Sequence, residues 1–376
     1  MRKNKLLLLL ALLMTAVTGA WAQSTPTEVS TFADLQTALS AGNDVKLTAN
    51  IQFTSAIEIS GSKKITIDGN GKTLSTTSEI RAFKVGASAT VAFKNLTLTG
   101  FVNEGGPAIN NKGTIVLDGC TISNCHVSNG DGGGAIENKS SGKLYAINTT
   151  FSGNYSGEIG GAINNYRGSL YMSGCTFTDN YTTSSDAYYG GAIGINSGDE
   201  VRLINCSFSG NKYGTATGLS DIGVFFKPDN YTIAGCTGVT IASGDGNITT
   251  IATGTATLDY SDLSNITFTY TPVAPEYYNK LTIINDDYNE QKTLLKQLYR
   301  GYPAYNSSLT AAQAYALATY QAAIDGKPVY VIMSVQGGGY EIHYALSTDA
   351  AATEHTTDFY EICDPINPVR MYYVAQ

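Results

Sequence analysis

From Asp44 onward, apolar and polar residues alternate with period two in short runs: "DVKLTANIQF", "AIEIS", "KKITIDGNGKTLS" and "AFKVGASATVAFKNLTLTG". Gly, Asn, Ser and Thr interrupt the runs every few residues. A period of two sends successive side chains to opposite faces of an extended chain, so each run predicts a short strand with one buried face. From Gly105 the pattern itself repeats. Cys120, Thr149, Cys175 and Cys206 fall in one column, with Ile122, Phe151, Phe177 and Phe208 two residues later. The pairs Ile115/Leu117, Leu144/Ala146, Leu170/Met172 and Val201/Leu203 precede the column, and all these positions are expected to point inward. Successive column members lie 29, 26 and 31 residues apart. A period of this size fits one three-sided coil, each strand pairing at about 4.8 Å with its counterpart in the next coil. The expected fold is all-β, a right-handed parallel β-helix.

One coil reads "GGAINNYRGSLYMSGCTFTDN", residues 160–180. Gly160 and Gly161 supply backbone angles that other residues resist, allowing a tight corner. Ile163 enters the core. Asn111, Asn138 and Asn165 each follow an inward Ile by two places, and Asn154, Asn180 and Asn211 form a second column. Asparagines at equivalent turns can hydrogen-bond along the stack, satisfying backbone groups that the corners leave unpaired.

The ends differ from the middle. Residues 1–22, "MRKNKLLLLLALLMTAVTGAWA", have a basic start, an apolar run and a small-residue cleavage site, the features of a secretory signal peptide. Ser30 or Thr31 is an N-cap candidate for a short helix with Phe32, Leu35 and Leu39 on one face and Gly42 as its stop, expected to close the open end of the solenoid. The β-helix with this cap is assigned to 23–270, its clearest repeats to 105–211. A small α+β domain or cap is expected over 271–376: "EQKTLLKQLYRG" and "SSLTAAQAYALATYQAAIDG" read as helices, "PVYVIMSV" and "YEIHYALS" as a hairpin.

At the coil residues the sequence resembles the chlamydial polymorphic outer membrane proteins and related autotransporter passengers, which carry GGAI and FxxN repeats. The matching pieces are Gly133–Ile136 with Phe151–Asn154, Gly160–Ile163 with Phe177–Asn180, and Gly190–Ile193 with Phe208–Asn211. A looser copy runs from Gly105 to Cys125, where Cys125 replaces the final Asn. The resemblance implies a secreted or cell-surface protein that binds host or neighbour-cell surfaces; the expected solenoid is pectate-lyase-like, and the expected location is extracellular or at the outer-membrane surface, with the periplasm as an alternative. That family normally adds a C-terminal translocator barrel; the region after Pro272 lacks the serial ten-residue alternations of one.

Composition narrows the chemistry. Charged residues make up 14% of the chain and the net charge is −8, which counts against nucleic acid as a partner. No stretch after the signal approaches the roughly 20 apolar residues of a membrane-spanning helix. His126, His343 and His355 are scattered without metal-ligand spacing, and "DGNGK" at Asp68–Lys72 reads as a turn, so neither metal nor cofactor is expected. Of the six cysteines, Cys120, Cys175 and Cys206 share a core column that Cys236 can join, which favours a ladder of buried thiols; a Cys175–Cys206 bridge stays open.

The loops after the second Asn column carry Asp131, Glu158, Asp186 and Asp221, beside Tyr155, Tyr181, Tyr188, Tyr189 and Tyr213. Stacked coils are expected to align them along one edge. Rings stack on sugar faces and carboxylates accept hydroxyl hydrogen bonds, so the edge suits glycans. A pair of these acids at suitable separation can also hydrolyse a glycosidic bond; the plainest alternative is a set of solvated loop residues. The sequence therefore reads as a non-catalytic adhesin for glycans or proteins, with the five tyrosines as binding residues. A polysaccharide lyase or glycoside hydrolase using the four acids is the alternative, and a structural spacer a third.

Overall fold

A computed structural model describes residues 25–272, apart from 128–131, 199, 215–217, 229 and 246–253, together with the backbone of five strands between 281 and 374. Its main body is a parallel β-solenoid of about seven turns. The predicted helix, α1 (Phe32–Ala41), is capped by Thr31, whose hydroxyl accepts from the Asp34 N–H, and ends at Gly42 in the left-handed region with φ 84°. Leu35, Ala38 and Leu39 are buried against the first coil. One end of the core is thereby covered, as the spacing of these residues indicates.

The coils from Thr90 to Phe226 pass through four sheets in the same order, and the two coils before them through three. Sheet 1 has nine strands, from Thr27–Val29 to Asn230–Ala234; sheet 2 has seven, from Ile51–Gln52 to Ser207–Ser209. Sheet 3 has six strands of two residues each, beginning at Val102–Asn103, and sheet 4 has eight, from Ile57–Ile59 to Ile241–Ser243. The coil therefore has three main sides plus a narrow fourth, because the chain leaving the second Asn column pairs for two more residues before its loop begins.

The register is that of the columns. Phe151 pairs with Ile122 and Phe177, and Phe177 with Phe208. The three Phe rings stack with centroids 4.9 Å apart and planes within 6°. Nearly every inward residue is excluded from solvent, and each fully buried Leu, Ile or Phe stabilises by about 1.5–3 kcal/mol. The outer face of sheet 2 instead presents Thr or Ser at both outward positions from Thr73–Ser75 onward. This is the half-buried alternation that the sequence shows.

Both Asn columns are hydrogen-bonded ladders. In the first, Nδ2 of Asn111 donates to Oδ1 of Asn138 at 2.8 Å and Asn138 to Asn165 at 2.7 Å. In the second, Asn154 donates to Asn180 and Asn180 to Asn211, both at 3.0 Å, while Oδ1 of Asn154 receives the Cys125 N–H. All five cysteines among the described residues are free thiols, and the Ser207–Thr237 bridge places Cys236 below Cys206 in the column.

Residues 254–272 depart from the coil pattern. Gly254–Asp259 and Thr267–Pro272 pair antiparallel as a hairpin that lies across the outside of sheet 1. Leu258, Tyr260, Leu263, Ile266 and Phe268 cover Ala92, Val116, Tyr145 and Tyr171. Lys64 Nζ reaches Ser264 Oγ at 2.6 Å near the start of the solenoid, and Asn205 Nδ2 reaches the Gly254 carbonyl at 2.8 Å near its end. The hairpin straps most of the turns together. Further on, Val329–Ser334 and Tyr340–Ala345 form the predicted antiparallel hairpin, within a five-stranded sheet that includes the strand Arg370–Val374. Both expected C-terminal helices lie outside the described residues.

Candidate functional site

Three of the loops between sheet 3 and sheet 4 turn back through a Gly-Gly-Ala-Ile corner, at Gly133, Gly160 and Gly190. Gly160 has φ 63°, and a Cβ there would stand 1.9 Å from the Ile163 carbonyl oxygen, so only glycine fits. Beyond the corners, the outward column of sheet 4 reads Asn110, Glu137, Asn164, Gly194, Gly223. The two glycines make room for the loops: a Cβ on Gly194 would meet Ile159 Cγ1 at 2.3 Å. The loops thus fold over one end of the sheet and leave a groove of about 640 Å³ beside them.

Glu137 and Asn164 form its floor. Glu137 is 6% exposed and accepts the Gly133 N–H at 2.9 Å and Asn164 Nδ2 at 3.2 and 3.3 Å. Burial pushes its carboxyl above the usual range, although Gly133, Lys139, Asn164 and Arg81 all favour the ionised form. Arg81 spends its guanidinium on the Glu104, Gly105 and Gly106 carbonyls and does not pair with Glu137 directly. Asn164 Oδ1 is buried and, among the described residues, receives no hydrogen bond. An orphan acceptor of this kind points to a missing donor. Glu158, Ile159 and Tyr189 form one wall; Lys112, Lys139, Tyr166 and Asn196 line the other side, with Phe225 at one end. Tyr189 and Phe225 are tilted by 31° with centroids 5.9 Å apart.

The structure distributes the sequence candidates over several places. Glu158 and Tyr189 reach the groove. Asp186 is half-buried and caps the single turn Ala187–Tyr189, accepting the Tyr188 N–H at 2.9 Å. Asp221 is not an edge residue: it is 4% exposed and accepts from Asn211 Nδ2 and from both the N–H and hydroxyl of Thr240. It ends the second asparagine ladder, because the next coil offers no Asn there. Asp131 lies outside the described residues.

The tyrosines also separate. His126, Tyr155 and Tyr181 stack on adjacent rungs, with centroids 4.6 and 4.9 Å apart and planes within 11°. Tyr155 has a ring against each of its faces, so only its edge and hydroxyl face outward and it offers no platform to a sugar. Tyr188 is exposed, beside Gly244. Tyr213 pairs with Thr182, in the alternate column, and its ring packs over Gly218; Lys212 follows Tyr181. The expected single edge of five tyrosines is therefore replaced by one ring stack and one groove.

Glu137, Asn164, Tyr166, Asn196 and Phe225 were not singled out by sequence. Their signal lies in the alternation, since each occupies or adjoins an outward position of sheet 4, but only the overhanging loops turn that face into a groove. Among the described residues no group of three or more His, Cys, Asp or Glu is placed to hold a metal ion. No curated protein matches the chain. Residues 26–184, a span that includes α1 and the two coils that carry Glu137 and Asn164, match the family described as "Putative pectate lyase-like adhesive domain", and over that span the chain is similar to this family.

Proposed function

We propose that the protein is an adhesin of the β-helix type that binds glycans in the groove on sheet 4. The observation that carries this reading is the joining of aromatic rings, Tyr166, Tyr189 and Phe225, to a floor of hydrogen-bond acceptors at Glu137 and Asn164. Sugars present apolar ring faces and hydroxyl donors, and this lining offers a partner to each. The adhesive-domain match supports the same reading. So do the GGAI and FxxN repeats, with their resemblance to polymorphic outer membrane proteins, and the signal-peptide features of residues 1–22. These support a role outside the cell, on its own surface or released. No helix among the described residues is long and apolar enough to cross a membrane.

A second reading is favoured by one observation. Glu137 holds its proton more readily than an ordinary carboxyl and lines the groove together with Glu158, and a glycosidase works with two carboxyl groups of which one enters as the acid. One experiment separates the two. The mature chain is applied to an array of host and plant glycans, and the retained material is analysed by mass spectrometry. Intact bound glycan supports the adhesin, shortened products support the hydrolase, and capture of proteins alone rejects both in favour of a protein receptor.

A further inference from the structure

Cys175, Cys206 and Cys236 occupy one inward column on three successive rungs. Their strands are in register on the sheet 1 side, Ser173 with Ile204 and Ile204 with Ala234. Adjacent Cα atoms at the strand spacing of about 4.8 Å fall inside the range of roughly 4.4–6.8 Å that a disulfide spans. In the column the Cys206 thiol lies between those of Cys175 and Cys236 and interacts electrostatically with both. Cys206 therefore has two possible partners.

The two differ in their surroundings. Between Cys175 and Cys206 the backbone continues into a three-pair ladder, Thr176–Ser207, Phe177–Phe208 and Thr178–Ser209, and both thiols are fully buried. Between Cys206 and Cys236 the pairing is the single bridge Ser207–Thr237, and Gly235 and Gly238 flank the cysteine with φ of 62° and 67°. Cys236 is also the one thiol of the column that is only half-buried. In-register strands hold side chains slightly farther apart than a disulfide prefers, so one backbone must yield. The segment around Cys236 is the one built to do so.

We propose that Cys206 and Cys236 form an inter-turn disulfide that closes the last coil of the solenoid when the protein meets a disulfide oxidant. The Cys236 thiol, reached from solvent, loses its proton and attacks one sulfur of the oxidant; its S–S bond breaks and the departing thiolate takes up a proton. Cys206 then gives up its proton and attacks Cys236 in the mixed disulfide, forming the Cys206–Cys236 bond and releasing the second half of the oxidant as thiol. Two protein thiols are oxidised and one small disulfide is reduced to two thiols. The neighbouring thiol, Cys175 for Cys206 and Cys206 for Cys236, and burial after it raise both thiol pKa values, so the reaction is expected to be slow and faster at alkaline pH.

The test uses the full mature chain with Cys363→Ser, which removes the sixth cysteine. The reduced protein is incubated with excess oxidised glutathione, denatured in an alkylating agent, digested without reductant and mapped by mass spectrometry. The expected result is the loss of two hydrogens per chain and a linked peptide pair containing Cys206 and Cys236. Cys175→Ser is expected to leave this pair intact and Cys236→Ser to abolish it. Complete alkylation of all five thiols at saturating oxidant, a stable glutathione adduct on Cys236, or a Cys175–Cys206 link in the parent would each overturn the proposal. Because the parent alone gives the answer, poor folding of a variant does not obscure it.

Discussion

Asn211 Nδ2 donates to Asp221 Oδ1 at 2.8 Å, and this contact ends a ladder that begins at the Cys125 N–H. An asparagine ladder passes one donor and one acceptor from rung to rung, so its last member needs a partner that only accepts. A carboxylate supplies this, and its second oxygen takes the Thr240 N–H and hydroxyl at 2.7 and 2.6 Å. Asp221→Ala leaves the buried Asn211 amide and the two donors of the exposed Thr240 without this acceptor. We expect it to destabilise the solenoid by about 1–3 kcal/mol, and Asp221→Asn by less. Urea unfolding of the two variants checks the order, and a neutral Asp221→Ala would show that the ladder end is not structural.

Gly194 and Ile159 make a second testable pair. A methyl group on Gly194 has no room while Ile159 Cγ1 sits over it. Gly194→Ala is expected to lose about 1–3 kcal/mol of stability and to lift the loop that walls the groove. Adding Ile159→Ala should restore part of the loss, because it removes the nearest colliding atom and leaves the Tyr189 carbonyl oxygen at 2.8 Å and the Gly160 nitrogen at 3.0 Å. A double-mutant cycle with coupling near zero would mean that the loop does not rest on Gly194.

The strap predicts an alkaline weakness. Burial raises the pKa of Tyr145, Tyr171 and Tyr260; the carboxylate of Glu200 adds to the first two effects, and that of Asp118 to the third. A tyrosine whose pKa is higher folded than unfolded contributes stability that is complete below the unfolded pKa, about 10, and is lost as pH rises through the folded value. Unfolding followed against pH should therefore show a decline that starts near pH 10 and is smaller in Tyr260→Phe. Equal slopes in the two proteins would exclude the hairpin as its source.

The sequence made the core legible because the repeat carries its own register: once Cys120, Thr149, Cys175 and Cys206 are aligned, every inward position follows. The cap was readable from Thr31, Phe32, Leu35, Leu39 and Gly42 for the same local reason. Asp221 was not, since a loop acid and a ladder terminator look alike until the rung below is known to lack an asparagine. The strap was hidden because its alternation, Thr255 out and Leu258 in, is that of a coil strand; only its antiparallel partner distinguishes it. The groove depends on how far the loops carrying Ile159 and Tyr189 reach over sheet 4, and glycines at 194 and 223 announce this only after pairing has placed them in one column with Glu137.

Glu137 gives the most informative single substitution. Its pKa is raised by burial, so ionisation opposes folding: its contribution is greatest below the unfolded value of about 4.3 and falls as pH rises through the folded value. Glu137→Gln removes that dependence. Its amide oxygen can still accept the Gly133 N–H, and its amide nitrogen gains the chance to donate to the orphaned Asn164 Oδ1. At neutral pH we expect Glu137→Gln to be more stable than the parent by about 1 kcal/mol and its stability to be flatter as pH rises above about 4.3. Glycan binding should weaken, because the floor then satisfies itself and no longer calls for a ligand donor. A variant that is less stable yet binds normally would mean that Glu137 supports the fold and the ligand lies elsewhere.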